Sequence, residues 1–286
     1  MALDAAGRRA LRTRLIIGPT LVALLVTVFV LDRSQTQGRA AAGLLFAIAL
    51  VSVFEYVTMM RGAGFPVGRR LLLFAAVVLH ALPFFFDSWH ELDTELYPLV
   101  IVTSLLLCFG SVRALTRTRM ARGLEELGAN LLGFVLVAWP LYFAQGLALR
   151  SIDALFWAVV VAKSGDIGGY FVGIAIGRRK FIPHVSPGKS LEGCIGSLVF
   201  ACIVGVLVAP PLLHRLVVLD VSTLILLAAL VNLTAQLGDL VESLLKRRCG
   251  VKDSSRLLPE HGGMLDLVDS LLFSLPAFFF VIVRIT

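Results

Sequence analysis

The chain has 286 residues, 58% of them hydrophobic and only 16% charged, where soluble domains carry about 25% charge. Its mean hydropathy of +0.91 excludes a water-soluble fold, because so much apolar surface finds cover only in a bilayer. The net charge of +7 is assigned to a cytoplasmic membrane face and to anionic lipid headgroups, and nucleic acid is discounted as a partner.

Hydropathy places nine candidate spans, at about 15–31, 41–59, 71–86, 97–112, 129–148, 153–176, 192–213, 217–237 and 264–285. The expected fold is therefore all-α, a polytopic integral membrane protein. Residues 1–150 read as an N-terminal transmembrane bundle and 151–286 as a catalytic region with cytoplasmic loops. Arg8, Arg9, Arg12 and Arg14 precede the first run as they would in a signal peptide. No small-residue cleavage site follows Leu31, so the run is read as an uncleaved span.

With the N-terminus cytoplasmic and the C-terminus outside, 20 of the 26 Lys and Arg residues fall on the cytoplasmic side, as the positive-inside rule requires. The acidic stretch from Asp87 to Glu95 then falls outside. The four cysteines are scattered and form no C-x-x-C, so neither a zinc site nor a disulfide framework is expected.

The sixth span carries Lys163 and Asp166 among Ser164, Gly165, Gly168 and Gly169. Small residues allow close helix packing. The charged pair is either a buried structural pair or the polar wall of a cavity. The next loop, GRRKFIPHVSPGKSL at 177–191, offers Ser186 and Lys189 to a phosphate. It is no P-loop, because Pro183 stands where that motif needs glycine.

The eighth span runs into a polar stretch from Leu237 to Asp269. Asp239, Glu242, Ser243 and Lys246 share one helical face, which an amphipathic helix end with a Glu242–Lys246 pair would also explain. Asp266 and Asp269 share a face at the start of the ninth span. Carboxylates there answer a helix dipole, but two with no basic residue between them repel unless a cation compensates. Oxygen-only ligation suits Mg²⁺, which takes one or two carboxylates together with substrate phosphates. His261, Gly262 and Gly263 precede that pair, as a plain turn or as backbone donors to an anion.

These residues resemble the signature of phosphatidate cytidylyltransferases, also called CDP-diacylglycerol synthases. SLLKR at 243–247, KD at 252–253 and PEHGGMLDLVD at 259–269 match S-x-L-K-R-x4-K-D followed by P-x-H-G-G-x-x-D-R-x-D. GDLVES at 238–243 and SPGKSLEG at 186–193 also fit, and Asp166 with GYFVG at 169–173 is similar to D-x-x-A-Y-x-x-G. The resemblance covers the C-terminal half. Two departures stand out. Leu267 replaces the arginine between the last two aspartates, and Leu191 replaces a common tryptophan. The lost arginine would lower activity, shift the substrate or be offset by Arg248 or Arg256.

The resemblance implies transfer of CMP from CTP to phosphatidic acid in a bacterial inner membrane, with the active site on the cytoplasmic face. It puts Asp239 and Asp266 on Mg²⁺, with a second cation possible, and makes Asp239, Lys246, Asp266 and Asp269 catalytic. Asp166, Ser186, Lys189, Ser243, Arg247, Lys252, Asp253, His261, Gly262 and Gly263 become substrate-binding residues. It also implies a homodimer. The alternatives are a CTP-dependent polyprenol kinase, an ether-lipid cytidylyltransferase and, from another class, a transporter.

Overall fold

A computed structural model describes residues 5–85, 92–116, 120–213, 219–259 and 262–285. Among them the chain is helical, with only isolated bridges at Lys180–Ser190 and Leu258–Gly262. The helices are α1 (Ala5–Leu31), α2 (Arg39–Gly62), α3 (Arg69–Ala81), α4 (Leu92–Leu115), α5 (Met120–Gly133), α6 (Trp139–Arg150), α7 (Ile152–Ile176), α8 (Leu191–Leu213), α9 (Val221–Arg248), α10 (Met264–Val268) and α11 (Leu271–Ile285). A π-turn at Phe134–Ala138 joins α5 to α6. The expected outer acidic stretch from Asp87 lies largely outside the described residues, as does His261.

Among the described residues seven helices are long and apolar enough to cross a membrane, and the protein is a multi-pass membrane protein. The expected third span is a 13-residue helix, and the ninth is a 15-residue helix. The fifth is longer than expected, one apolar rod over Ala121–Arg150.

Two boundaries shift in ways that shape the site. The helix expected to end near 237 continues to Arg248 as α9. Leu240, Val241, Leu244 and Leu245 keep its apolar spacing, and Glu242 and Lys246 pair one turn apart at 2.5 Å. The helix stops in a Schellman motif. Gly250 N–H donates to Arg247 O at 3.1 Å and Val251 N–H to Lys246 O at 3.0 Å, with Gly250 at φ 71. The last span breaks after α10. Asp269 Oδ1 accepts from Ser270 N–H at 2.5 Å, so α11 begins only at Leu271.

Packing brings the two halves of the chain together. α7, α8 and α9 form one group, α11 lies against both α9 and α6, and α10 lies against α2. The division expected at residue 150 therefore separates helices that touch. α7 and α8 approach closely because glycines face each other. A Cβ on Gly193 would stand 3.0 Å from Gly169 O, the small-residue contact that lets membrane helices pack.

Candidate active site

A cavity of about 580 Å³ opens between α7, α8, α9 and the loop before α8. Glycines 165, 169, 173 and 193 line it, leaving room where side chains would fill the space. Asp166, Lys180, Ser186, Lys189, Gln236 and Asp239 give it polarity. Tyr170 and Ile174, mostly exposed on α7, form an apolar side. One wall therefore suits phosphates and the other suits lipid.

The loop carrying Ser186 and Lys189 is folded back on itself. Phe181 N–H donates to Lys189 O at 3.1 Å and Leu191 N–H to Arg179 O at 2.8 Å. Glu192 Oε2 accepts from the N–H groups of Arg178 at 3.1 Å and Arg179 at 3.2 Å. This places Lys189 Nζ 2.5 Å from Asp239 Oδ2, while Ser243 donates to Asp239 Oδ1 at 3.3 Å. The shared helical face of α9 thus meets the loop across the cavity.

Further along α9, Lys246 bridges two carboxylates, Glu242 Oε2 at 2.5 Å and Asp266 Oδ1 at 2.6 Å. The other oxygen of Asp266 accepts from Ser254 N–H at 2.8 Å, Ser254 Oγ at 2.7 Å and Gly263 N–H at 2.7 Å. The Gly263 bond is the reciprocal half of a capping box, since Asp266 is the third residue of α10. Burial works against ionisation of Asp266. The Lys246 ammonium, the Ser254 hydroxyl and Gly263 N–H outweigh it and hold the carboxyl below its usual range.

Asp269 is in a different situation. Burial and the nearby Asp239 carboxylate push it up to about 7, while the Lys163 ammonium pulls it down. Both aspartates precede the apolar run of α11.

Lys163 reaches across from α7. It donates to Ser270 Oγ at 2.8 Å, to Leu267 O at 3.0 Å and to Asp166 Oδ2 at 3.4 Å. Asp166 lines the cavity, and Lys163 ties that helix to the α10–α11 break. The positive charge beside Leu267 is Lys163. Of the two arginines named as able to offset the missing one, Arg248 stacks over the Phe65 ring at 4.8 Å, and Arg256 is exposed on its loop.

Arg247 joins the two loops, donating from Nε to Val185 O at 3.3 Å and from Nη1 to Val251 O at 3.2 Å. Its hydrogen bonds go to backbone carbonyls. Lys252 and Asp253 are exposed. Gly262 takes φ 84, and a Cβ there would stand 2.7 Å from Asp266 Oδ2, so glycine lets the turn close over that carboxylate. Among the described residues no three His, Cys, Asp or Glu side chains gather as a metal cluster. Asp239 and Asp269, adjacent enough to repel, are the pair that a cation would relieve.

Sequence spacing passed over Glu55 of α2, which hydrogen-bonds the segment before Asp266. A signal was present, because an acidic residue inside an apolar run is a functional candidate by default.

The profile of a cytidylyltransferase family matches residues 12–285. The chain is 33% identical over 248 residues to a phosphatidate cytidylyltransferase of Bacillus subtilis, covering 84% of this chain and 87% of that protein. It is 30% identical over 282 residues to one of Mycobacterium bovis, covering 96% and 89%. A third, from Pseudomonas aeruginosa, is 44% identical over 161 residues, covering 56% and 55%.

Proposed function

The chain belongs to the cytidylyltransferase family, and we propose that it transfers CMP from CTP to phosphatidic acid, giving CDP-diacylglycerol and pyrophosphate. The observation that carries this reading is the cavity, with Lys189 and Asp239 on its polar side and Tyr170 and Ile174 on its apolar side. One substrate comes from water as a polyanion and the other stays in the bilayer. A site with both kinds of wall serves both.

A phosphate oxygen of phosphatidate attacks the α-phosphorus of CTP. The bond from that phosphorus to its bridging oxygen breaks, and pyrophosphate leaves with the electron pair. No strong general base is needed, because the attacking phosphate is already largely ionised near pH 7. What the reaction needs is positive charge to bring two anions together and to stabilise the leaving group. Lys189 is free to exchange Asp239 for a phosphate, since both are partly exposed. Lys163 and Lys180 add charge on either side.

Mg²⁺ is part of the proposal. Its holders would be Asp239 with Asp269, and Asp266 by resemblance, while the substrates complete the shell. Bound there, it would neutralise phosphate charge as a Lewis acid. A second cation and a homodimer rest on resemblance alone. A cytoplasmic site fits the basic loops around Arg178, Lys189 and Arg247, and CTP is available there.

The polyprenol kinase, ether-lipid and transporter alternatives are not favoured, because the relatives carrying a functional name are phosphatidate cytidylyltransferases. The test is an assay on detergent-purified protein with labelled CTP, phosphatidate and Mg²⁺. Label should enter the lipid phase only when all three are present. Folded protein that binds CTP but labels no lipid would defeat the proposal.

A further inference from the structure

We propose that Glu55 is a positioning residue of this site, holding Ser254 and Ser255 against the start of α10 so that Asp266 stays in register with Lys246. The proposal rests on the transfer reaction proposed above. Glu55 belongs to α2, in the half of the chain that the signature does not cover. It is 3% exposed, and no lysine or arginine pairs with it among the described residues.

Three donors converge on its two oxygens, and the Ser254 hydroxyl, shared with Asp266, lies beside them. Oε1 accepts from Ser255 Oγ at 2.6 Å and Met264 N–H at 3.0 Å. Oε2 accepts from Leu265 N–H at 2.8 Å and lies 3.2 Å from Ser254 Oγ. A buried carboxylate is tolerated only when its lone pairs are met, and here they are met by two stretches of chain at once. One is Ser254–Ser255, at the end of the exposed loop. The other is the first two residues of α10.

Asp266 follows directly and closes the same loop from inside, through Ser254 N–H and Gly263 N–H. Gly263 sits between the two carboxylates. A Cβ there would stand 2.5 Å from Glu55 Oε2, so any other residue would displace the Glu55 carboxylate. An apolar contact could hold a loop near a helix. A carboxylate with three donors also fixes its direction, and the direction of α10 sets where Asp266 meets Lys246.

Glu55→Gln tests this, because the amide keeps one acceptor and turns an NH₂ group toward existing donors. Ser255→Ala is the milder companion, removing one donor to Glu55 together with the exposed acceptor of Leu257 N–H. For Glu55→Gln the expected result is a kcat lower by about 10- to 100-fold, the usual effect of losing a group that orients a site residue. The KM for CTP should change less than about threefold, since no substrate contact is removed. Hydrogen exchange should rise at the amides of 253–266 and stay unchanged along α7 and α8. Ser255→Ala should move both readouts the same way by less.

A wild-type kcat in both variants overturns the proposal. So does exchange that rises equally throughout the chain, which marks general destabilisation. If Glu55→Gln does not fold, Ser255→Ala decides on the same criteria. If the wild-type protein labels no lipid, the transfer reading fails by itself, while exchange over 253–266 still decides whether Glu55 holds the segment.

Discussion

Asp239 and Asp266 are the same residue type, both matched to the same signature, yet the structure treats them differently. The Asp266 side chain is 9% exposed and receives four donors from the protein. Asp239 is 28% exposed and holds one lysine and one serine beside the cavity. The first carboxylate is already saturated and shapes the chain around it. The second has lone pairs to give. A signature records that both are aspartate. Only their surroundings separate a group that organises the site from one that meets the substrate.

The largest expected effect comes from Asp239→Asn. Asp239 would hold the cation that neutralises the reacting phosphates, and losing such electrostatic stabilisation typically costs about 10²–10³ in kcat. The melting temperature should stay close to wild type, because the only ion pair lost is partly exposed. Lipid labelling together with a thermal melt checks both halves. A protein that loses several degrees would place Asp239 with Asp266 and erase the distinction.

Asp266→Asn should cost activity and stability together. Lys246 keeps Glu242, but the buried pair with Asp266 is broken, a change worth up to about 3–5 kcal/mol when one partner is removed. The amide also turns donors toward Ser254 and Gly263. A melt that does not move while activity falls would show that Asp266 serves the substrate directly.

Lys189→Met comes next. The lysine sits on a folded loop and its pair with Asp239 is partly exposed, so stability should change by less than about 1 kcal/mol. The loss should appear mainly as a raised KM for CTP, about tenfold, because a cation that meets phosphate in ground and transition states alike acts through binding. A drop in kcat with KM unchanged would give Lys189 a role only at the transition state.

Much of this was legible from spacing. Asp239, Ser243 and Lys246 do share a face of α9, and Lys189 does reach that face. What spacing could not supply was the partner across the fold. Asp239 meets Lys189 and Asp266 meets Lys246, two contacts that spacing along the chain does not name. Arg247 reaches the carbonyls of both Val185 and Val251, a link between two loops that no motif announces. Glu55 lies 200 residues from Ser255, and nothing local announces that contact. Hydropathy also misplaced two ends. It averages over a window, so it ended α9 at the first polar residues, although helical hydrogen bonds and the Glu242–Lys246 pair carry it to Arg248. It ran the last span through Asp269 for the same reason.

The smallest expected effect concerns Leu267, and it tests the comparison at its edge. Between the saturated Asp266 and the strained Asp269 the chain carries no charge of its own, and the ammonium of Lys163 arrives from α7 onto Leu267 O and Ser270. Lys163→Met removes a cation that lowers Asp269, and two hydrogen bonds at the helix break go with it. Each such bond is worth about 1 kcal/mol net, so a loss of three- to tenfold in kcat is expected. Leu267→Arg in that background returns a guanidinium within reach of the same groups. Partial recovery of lipid labelling would show that the site needs a cation there, whichever helix provides it. No recovery, with a melt equal to Lys163→Met alone, would show that the ammonium matters for its bonds to the α10–α11 break and that its charge is incidental.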